Sequence, residues 1–333
     1  MTISRSKAWL VAILLLLAGA LALYLLVPRE QSDPTQPTAA SLRLAWVYDM
    51  AEVGVFVAQD KGYFEQSGIR LTTQPGGFGL DPIKLVAAGS NDFGVAGAGN
   101  LLLARAQGVP VVAIAAEFQE TPVGFIVREN SPIRSFADFR GKRVGIQTGA
   151  DTDVLYRALL AKNGMASADV KEVPIQYDPG PFVSGQIDVL PGYVTNQPVT
   201  LRSKGLPVRV LSAKSQGAAY YGNVYFTTET MLKQKPELVR QFLSAVQKGW
   251  LESFSNKRAA LAAMTSRSKD FEAQDLSAIY DAVMPFIRPG GAQGPFLRMT
   301  DERWESTRRV LSDAGLLKAN VDLKAAYTND LLP

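Results

Sequence analysis

Residues 56–77, FVAQDKGYFEQSGIRLTTQPGG, restrict this chain to few folds, because a helix, a glycine stop, a short strand and a glycine turn follow one another without a break. Val53, Phe56, Val57 and the pair Tyr63-Phe64 recur at helical spacing, and Gly68 stands where a helix ends on a left-handed residue. Residues 69–73 alternate and are rich in β-branched side chains, the pattern of a strand, and Pro75-Gly76-Gly77 breaks it. With residues 42–47 as a preceding strand, the segment forms a strand–helix–strand unit, and such units bind ligands at the carboxyl ends of their strands.

The same grammar continues downstream. Asp81-Pro82 supplies an N-cap and a proline at the first helical position. Residues 92–95 read as a buried strand, Gly97-Ala98-Gly99 as a turn, and Asn100 as the cap of a helix carrying Leu101, Leu102 and Leu103. Residues 111–116 are a continuous apolar strand. A second set of units begins near Gly124, with strands at 125–127, 143–146 and 208–211 and helices at 152–163 and 196–204. Gly89-Ser90-Asn91-Asp92 and Gly185-Gln186-Ile187-Asp188 share the form G-x-x-D between a helix and a strand, an echo that points to two like-built lobes. After a strand at 223–227 the text turns helical, at 236–254, 258–264, 273–283 and 301–314. The expected fold is therefore α/β with a largely parallel sheet, its two lobes separated by a cleft where the chain crosses twice.

The N-terminus reads differently. Arg5 and Lys7 precede an uncharged run at residues 8–27, long enough at helical rise to span about 30 Å of hydrocarbon. Cleavage after Ala20-Leu21-Ala22 would make it a signal peptide, but the apolar run continues to Val27, which favours an uncleaved anchor with residues 1–7 in the cytoplasm. Either reading exports the remainder. Residues 28–41 are a linker by composition.

The chain contains no cysteine and no histidine. Disulfides, thiolate or Ser-His-Asp nucleophiles, and histidine-ligated metal are thereby excluded, and neither a metal nor a cofactor is expected. Net charge is +4 with no basic run, so nucleic acid is not an expected partner.

Candidate ligand contacts follow from strand ends and loops. Trp46, Tyr48, Asp49 and Glu52 cluster after the first strand, where aromatic faces and acceptor oxygens suit a planar nitrogen heterocycle, although Trp46 as core and Asp49 as a helix cap are equally physical readings. Gly76 and Gly77 could bring backbone close to a ligand, and Gly97 closes the next strand. Phe118 and Gln119 follow the buried strand. Thr148 and Gly149 precede a helix whose free N–H groups would favour an anion or a carbonyl. Tyr177, Tyr193 and Asn196 lie in loops of the second lobe, and Tyr221 is either a hinge contact or packing. Asp151 and Asp153 read as helix-start carboxylates.

As an ordered set, VAQDKGYFEQSGI, LVAAGSNDFGV, ARAQGVPVVAIA and DFRGKRVGI resemble the periplasmic solute-binding proteins of ABC importers. FQETPVGFIV, SGQID, YVTNQP and PELVRQFLSAVQKGW are most similar to the branch that binds thiamine pyrimidine precursors, beside riboflavin binders and the related sulfonate, taurine and nitrate binders. The resemblance implies a type II periplasmic-binding fold with a two-strand hinge, lobe one at 42–127 plus 223–333 and lobe two at 128–222. It implies a small organic ligand, separate permease and ATPase partners, and Trp46, Tyr48, Asp49, Gly77, Tyr193 and Asn196 as ligand contacts. Where the pyrimidine binders carry Asn and His after the first-strand Trp, this chain has Tyr48-Asp49-Met50-Ala51-Glu52. Fungal enzymes of the superfamily make the pyrimidine from a histidine and pyridoxal phosphate and need a cysteine-rich motif; neither histidine nor cysteine exists here. The expected function is capture of a thiamine-precursor-like heterocycle, with riboflavin or a sulfonate, taurine or nitrate as alternative ligands. A cofactor-dependent enzyme or sensor input module is the alternative of a different class.

Overall fold

The computed structural model describes residues 36–333 except 78, 177, 219, 269–272 and 319–320. The expected cytoplasmic segment and anchor or signal, residues 1–27, lie outside the described residues, as does most of the expected linker. Among the described residues no helix is long and apolar enough to cross a membrane.

The first strand, β1 (Thr38–Arg43), runs parallel to β2 (Ile69–Gln74), with Thr38 opposite Ile69 and Arg43 opposite Gln74. Residues 38–41, expected as linker, are thus strand, and residues 44–47, expected as strand, are not. Ala39-Ala40-Ser41 carries no strand propensity of its own. Pairing with β2 and burial of Ala40 and Leu42 impose the conformation from outside the segment. Between these strands lies α1 (Val53–Asp60), with Gly68 left-handed at φ 79° where the chain turns into β2. There follow α2 (Pro82–Ala87), capped by Asp81 Oδ1 on the Ile83 N–H, then β3 (Phe93–Gly97), α3 (Ala98–Ala106) and β4 (Val111–Ala116). Gly97 itself caps α3, so Gly97-Ala98-Gly99 is not a turn and Asn100 sits within the helix rather than capping it.

The second lobe contains β5 (Val123–Arg128), β6 (Arg143–Ile146), α4 (Asp151–Lys162), β7 (Lys171–Pro174), β8 (Leu190–Tyr193), α5 (Gln197–Ser203) and β9 (Val208–Ser212). The chain then returns as β10 (Asn223–Thr228), followed by α6 (Pro236–Ser255), α7 (Ala273–Ile287) and α8 (Asp301–Asp313). The first sheet has the order β2-β1-β3-β10-β4, with β10 antiparallel to both neighbours; the second, β8-β5-β9, is antiparallel, beside a parallel pair β6-β7. The expectation of a largely parallel sheet therefore fails at β10 and β5, the strands the chain makes after each crossing. β5, at residues the expected boundary assigned to lobe one, pairs with β8 and β9 and not with the first sheet.

Two segments, 117–122 and 213–222, carry the chain between lobes and are hydrogen-bonded to each other. The Thr121 N–H donates to Tyr220 O at 3.0 Å, and the Gly222 N–H to Phe118 O at 3.2 Å. The G-x-x-D echo has one structural job in both lobes. Gly89 and Gly185 are left-handed at φ 74° and 75°, and the aspartate that follows caps the neighbouring strand: Asp92 Oδ2 accepts from the Ser41 N–H, and Asp188 Oδ2 from the Arg143 N–H.

The C-terminal helices anchor lobe one. A Cβ on Gly54 would lie 2.2 Å from the Trp250 ring, and one on Gly249 would lie 2.0 Å from Gly54 O, so α1 and α6 cross at a distance only glycines permit. Trp250 is fully buried there, its Nε1 donating to Tyr225 Oη at 3.1 Å.

Candidate functional site

A cavity of about 590 Å³ opens between the lobes. Lobe one contributes the segment after β1 (Trp46, Asp49, Glu52), Gly77 after β2, and the β3–α3 junction at Gly97 and Asn100; lobe two contributes residues 147–152, Tyr193 and Gln197. Asn223, at the second crossing, completes the wall. Apart from Asn223, which opens the antiparallel β10, these lie at or just beyond carboxyl ends of strands, the positions the strand–helix–strand unit leads to.

Each polar wall residue is held by its element. Asp49 caps the short turn Met50–Glu52 through Oδ1, which accepts from the Ala51 N–H at 2.8 Å, so its cap role and its place in the cleft coexist. Tyr193 ends β8; its N–H donates to Gln197 Oε1 at 2.8 Å and its hydroxyl to Asn223 Oδ1 at 3.1 Å. Asp151 starts α4 and reaches toward lobe one, where a Cβ on Gly97 would stand only 2.6 Å from its Oδ1. The Tyr220 hydroxyl donates to that Oδ1 at 3.3 Å. Asn100 also bridges the lobes, its Nδ2 donating to Gly149 O at 2.9 Å.

The site is rich in acceptors. Burial pushes Asp49 up to about 6, despite the Ala51 N–H. Burial likewise raises Asp151 to about 7 against the pull of Tyr220, and Glu117, just behind the wall, to about 7. Glu52 is driven well above its ordinary value by burial and then by Glu117, with which it forms a carboxyl pair. The Tyr193 hydroxyl is pushed up by burial and by the charges of Asp151, Asp49, Glu117 and Glu52, which places all four acids around one ring. Asp151 Oδ2 and Asn100 Oδ1 are buried without a hydrogen-bond donor, whereas Glu52 has the carboxyl of Glu117 as its partner. Among the described lining residues the sole cation is Lys84, exposed and 3.5 Å from Asp81.

Of the residues expected from sequence, the structure brings Trp46, Asp49, Glu52, Gly77, Gly97, Thr148, Gly149 and Tyr193 to this cavity. Six others do not reach it. Tyr48 turns away, its hydroxyl donating to Thr73 O at 3.1 Å and its ring edge-on to Phe56. Gly76 is structural, since a Cβ there would meet Leu44 O at 2.4 Å. Phe118 is fully buried behind Tyr193, and Gln119 Nε2 donates to Arg298 O at 3.1 Å. Asn196 is buried at the start of α5. The Tyr221 hydroxyl accepts from the Thr300 N–H at 2.8 Å and its ring packs on Trp304, on the opposite side from Tyr220. Tyr177 lies outside the described residues. Sequence reasoning missed Asn100, Gln147, Asp151, Gln197 and Asn223. For Asp151 the signal was present but ambiguous: two acids open α4, and Asp153 does the helix-start work, accepting from the Gly149 N–H at 3.1 Å and pairing with Arg157 at 3.0 Å.

Comparison with known proteins gives a consistent result. A family described as NMT1/THI5 like matches residues 50–260. The chain is 30% identical over 310 residues to the riboflavin-binding protein RibY of Chloroflexus aurantiacus, covering 90% of this chain and 88% of that one. It is 25% identical over 297 residues to a 4-amino-5-hydroxymethyl-2-methylpyrimidine phosphate synthase of Legionella pneumophila, covering 88% and 92%. The periplasmic aliphatic sulphonate binding protein SsuA of Escherichia coli shares the fold at a TM-score of 0.67 and 18% identity, covering 87% of this chain and 92% of that one. The expected two-lobe, type II periplasmic-binding fold is the fold observed.

Proposed function

The chain belongs to the NMT1/THI5-like family, and from that premise we propose that it is the extracytoplasmic substrate-binding component of an ABC importer, capturing a small planar nitrogen heterocycle between its lobes and presenting it to a permease and its ATPase. The observation that carries this reading is the wall of the cleft, which sets the aromatic rings of Trp46 and Tyr193 beside buried acceptor oxygens. Rings of this kind stack on a planar ligand, and the acceptors fix its N–H edge. A thiamine-pyrimidine-like ligand has such an edge. Riboflavin is the second reading, supported by the relative named for it, and the cavity of about 590 Å³ has room for its fused rings. A sulfonate or nitrate fits poorly, because the described lining offers an oxyanion acids rather than cations.

A chain without histidine or cysteine lacks the groups on which the fungal synthase chemistry depends, which supports binding without turnover despite relatives named as synthases. In this reading residues 8–27 tether the protein to the inner membrane with the lobes outside, and fractionation of tagged full-length protein checks that placement. The function is tested by melting the full-length chain with 4-amino-5-hydroxymethyl-2-methylpyrimidine, its formylated amino analogue, riboflavin, taurine and nitrate. A true ligand at a hundredfold excess over Kd stabilises by about 2.7 kcal/mol. A shift with taurine or nitrate and none with any heterocycle refutes the proposal, and product formation from a heterocycle refutes the absence of turnover.

A further inference from the structure

Resting on that reading of the cleft, we infer that this site selects by charge, admitting planar ligands that are cationic or donor-rich and rejecting anions, with Glu52 and Asp151 as the residues that impose the choice. Glu52 is 2% exposed and Asp151 9%; both line the cavity and each is short of a donor, since Asp151 Oδ2 is buried with none and Glu52 is set against the like-charged carboxyl of Glu117. A buried acceptor without a partner is costly, so the ligand that binds best is one that brings donors to both. The two residues come from opposite lobes, Glu52 from the segment after β1 and Asp151 from the start of α4. A ligand edge that satisfies both therefore also ties the lobes together.

The surroundings reinforce the sign. The titratable groups facing the pair are Asp49, Glu117, Tyr193, Tyr220 and Tyr225, all neutral or negative, while Lys84, the cation of the described lining, is exposed and engaged by Asp81. Two helix N-termini that could have held an anion open on the cavity, and acid covers both: Asp151 lies against Gly97 at the start of α3, and Asp151 itself and Asp153, on the Gly149 N–H, stand at the start of α4. A carboxylate facing a cation or an N–H donor gains a charge-assisted bond, while an anion there meets like charge with no counter-ion.

Three planar probes of one size test this with the full-length chain by calorimetry: benzamidinium, benzamide and benzenesulfonate. Benzamidinium binds tightest, benzamide more weakly by roughly tenfold, and benzenesulfonate shows no saturable heat. Glu52→Gln and Asp151→Asn, both near-isosteric, each lower the benzamidinium-to-benzamide preference by roughly tenfold while changing benzamide affinity less. The inference is overturned if benzenesulfonate binds as well as benzamidinium, if neither substitution changes the preference, or if none of the three probes binds. Riboflavin and the aminopyrimidine in the same experiment separate the two levels. Charge preference without vitamin binding sinks the proposed ligand class alone, and vitamin binding with flat probe preference sinks the charge rule alone.

Discussion

Gly97→Ala should weaken ligand capture without much harming the free protein. Gly97 has φ −60° and ψ 137°, a conformation any residue adopts, so the substitution carries no backbone strain. What it meets is Asp151 of the other lobe, with a new Cβ 2.6 Å from Oδ1, 2.7 Å from Cγ and 3.0 Å from Cβ. Asp151 cannot swing clear cheaply, because it is buried and its Oδ1 holds the Tyr220 hydroxyl. Overpacking of this kind costs about 1–3 kcal/mol. If the lobes separate in the absence of ligand, only the closed state bears that cost, and Kd rises by about 5- to 150-fold. Calorimetry with the preferred heterocycle reads the affinity, and the melting temperature of the free protein reads the unliganded state. A Kd within about twofold of the parent refutes the argument. So does a stability loss in the free protein equal to the loss in binding, which would make Gly97 an ordinary core position.

Three further outcomes follow from the same geometry. Asp151 protonates at about 7 in the folded protein against 3.8 for the free carboxyl, so its contribution to stability is complete below about 4 and is lost as pH rises toward 7. Between pH 5 and 8 this one group removes about 2–3 kcal/mol, so urea unfolding should show a loss larger by that amount in the parent than in Asp151→Asn, where Asp49 and Glu117 still titrate; equal losses in both would contradict it. Trp46→Ala should lower affinity for a planar ligand by about tenfold or more while leaving the melting temperature nearly unchanged, whereas a large stability loss with intact affinity would make Trp46 a core residue. Gly54→Ala drives a methyl group to 2.2 Å from the Trp250 ring and should lower the urea midpoint by the equivalent of about 1–3 kcal/mol; an unchanged midpoint would mean that α1 and α6 re-cross freely.

Local chemistry was legible in the sequence, and pairing across the chain was not. The Asp81-Pro82 start of α2, the left-handed Gly68 and the G-x-x-D turns depend on a few neighbouring residues, and all are present as read. β1 was misplaced because Ala39-Ala40-Ser41 becomes strand only through β2. The antiparallel entry of β10 between β3 and β4 joins residues more than a hundred positions apart, and no periodicity encodes it. Within the site, what failed was direction. Trp46 lines the cleft and Tyr48 turns to Thr73; Tyr220 meets Asp151 while Tyr221 meets Trp304; Asp151 faces the ligand space while Asp153 serves its own helix. In irregular segments, where side chains follow neither a two-residue nor a 3.6-residue period, residue type gave the chemistry and only the backbone path decided which member of each pair could use it.

The most direct test of the central claim is to load the full-length protein with riboflavin or 4-amino-5-hydroxymethyl-2-methylpyrimidine, measure stoichiometry by calorimetry, and identify the released compound by mass spectrometry. One heterocycle per chain is expected for at least one of the two, recovered chemically unchanged, with binding weakened by Trp46→Ala. Recovery of a converted compound, or binding of taurine or nitrate in place of either heterocycle, would contradict it.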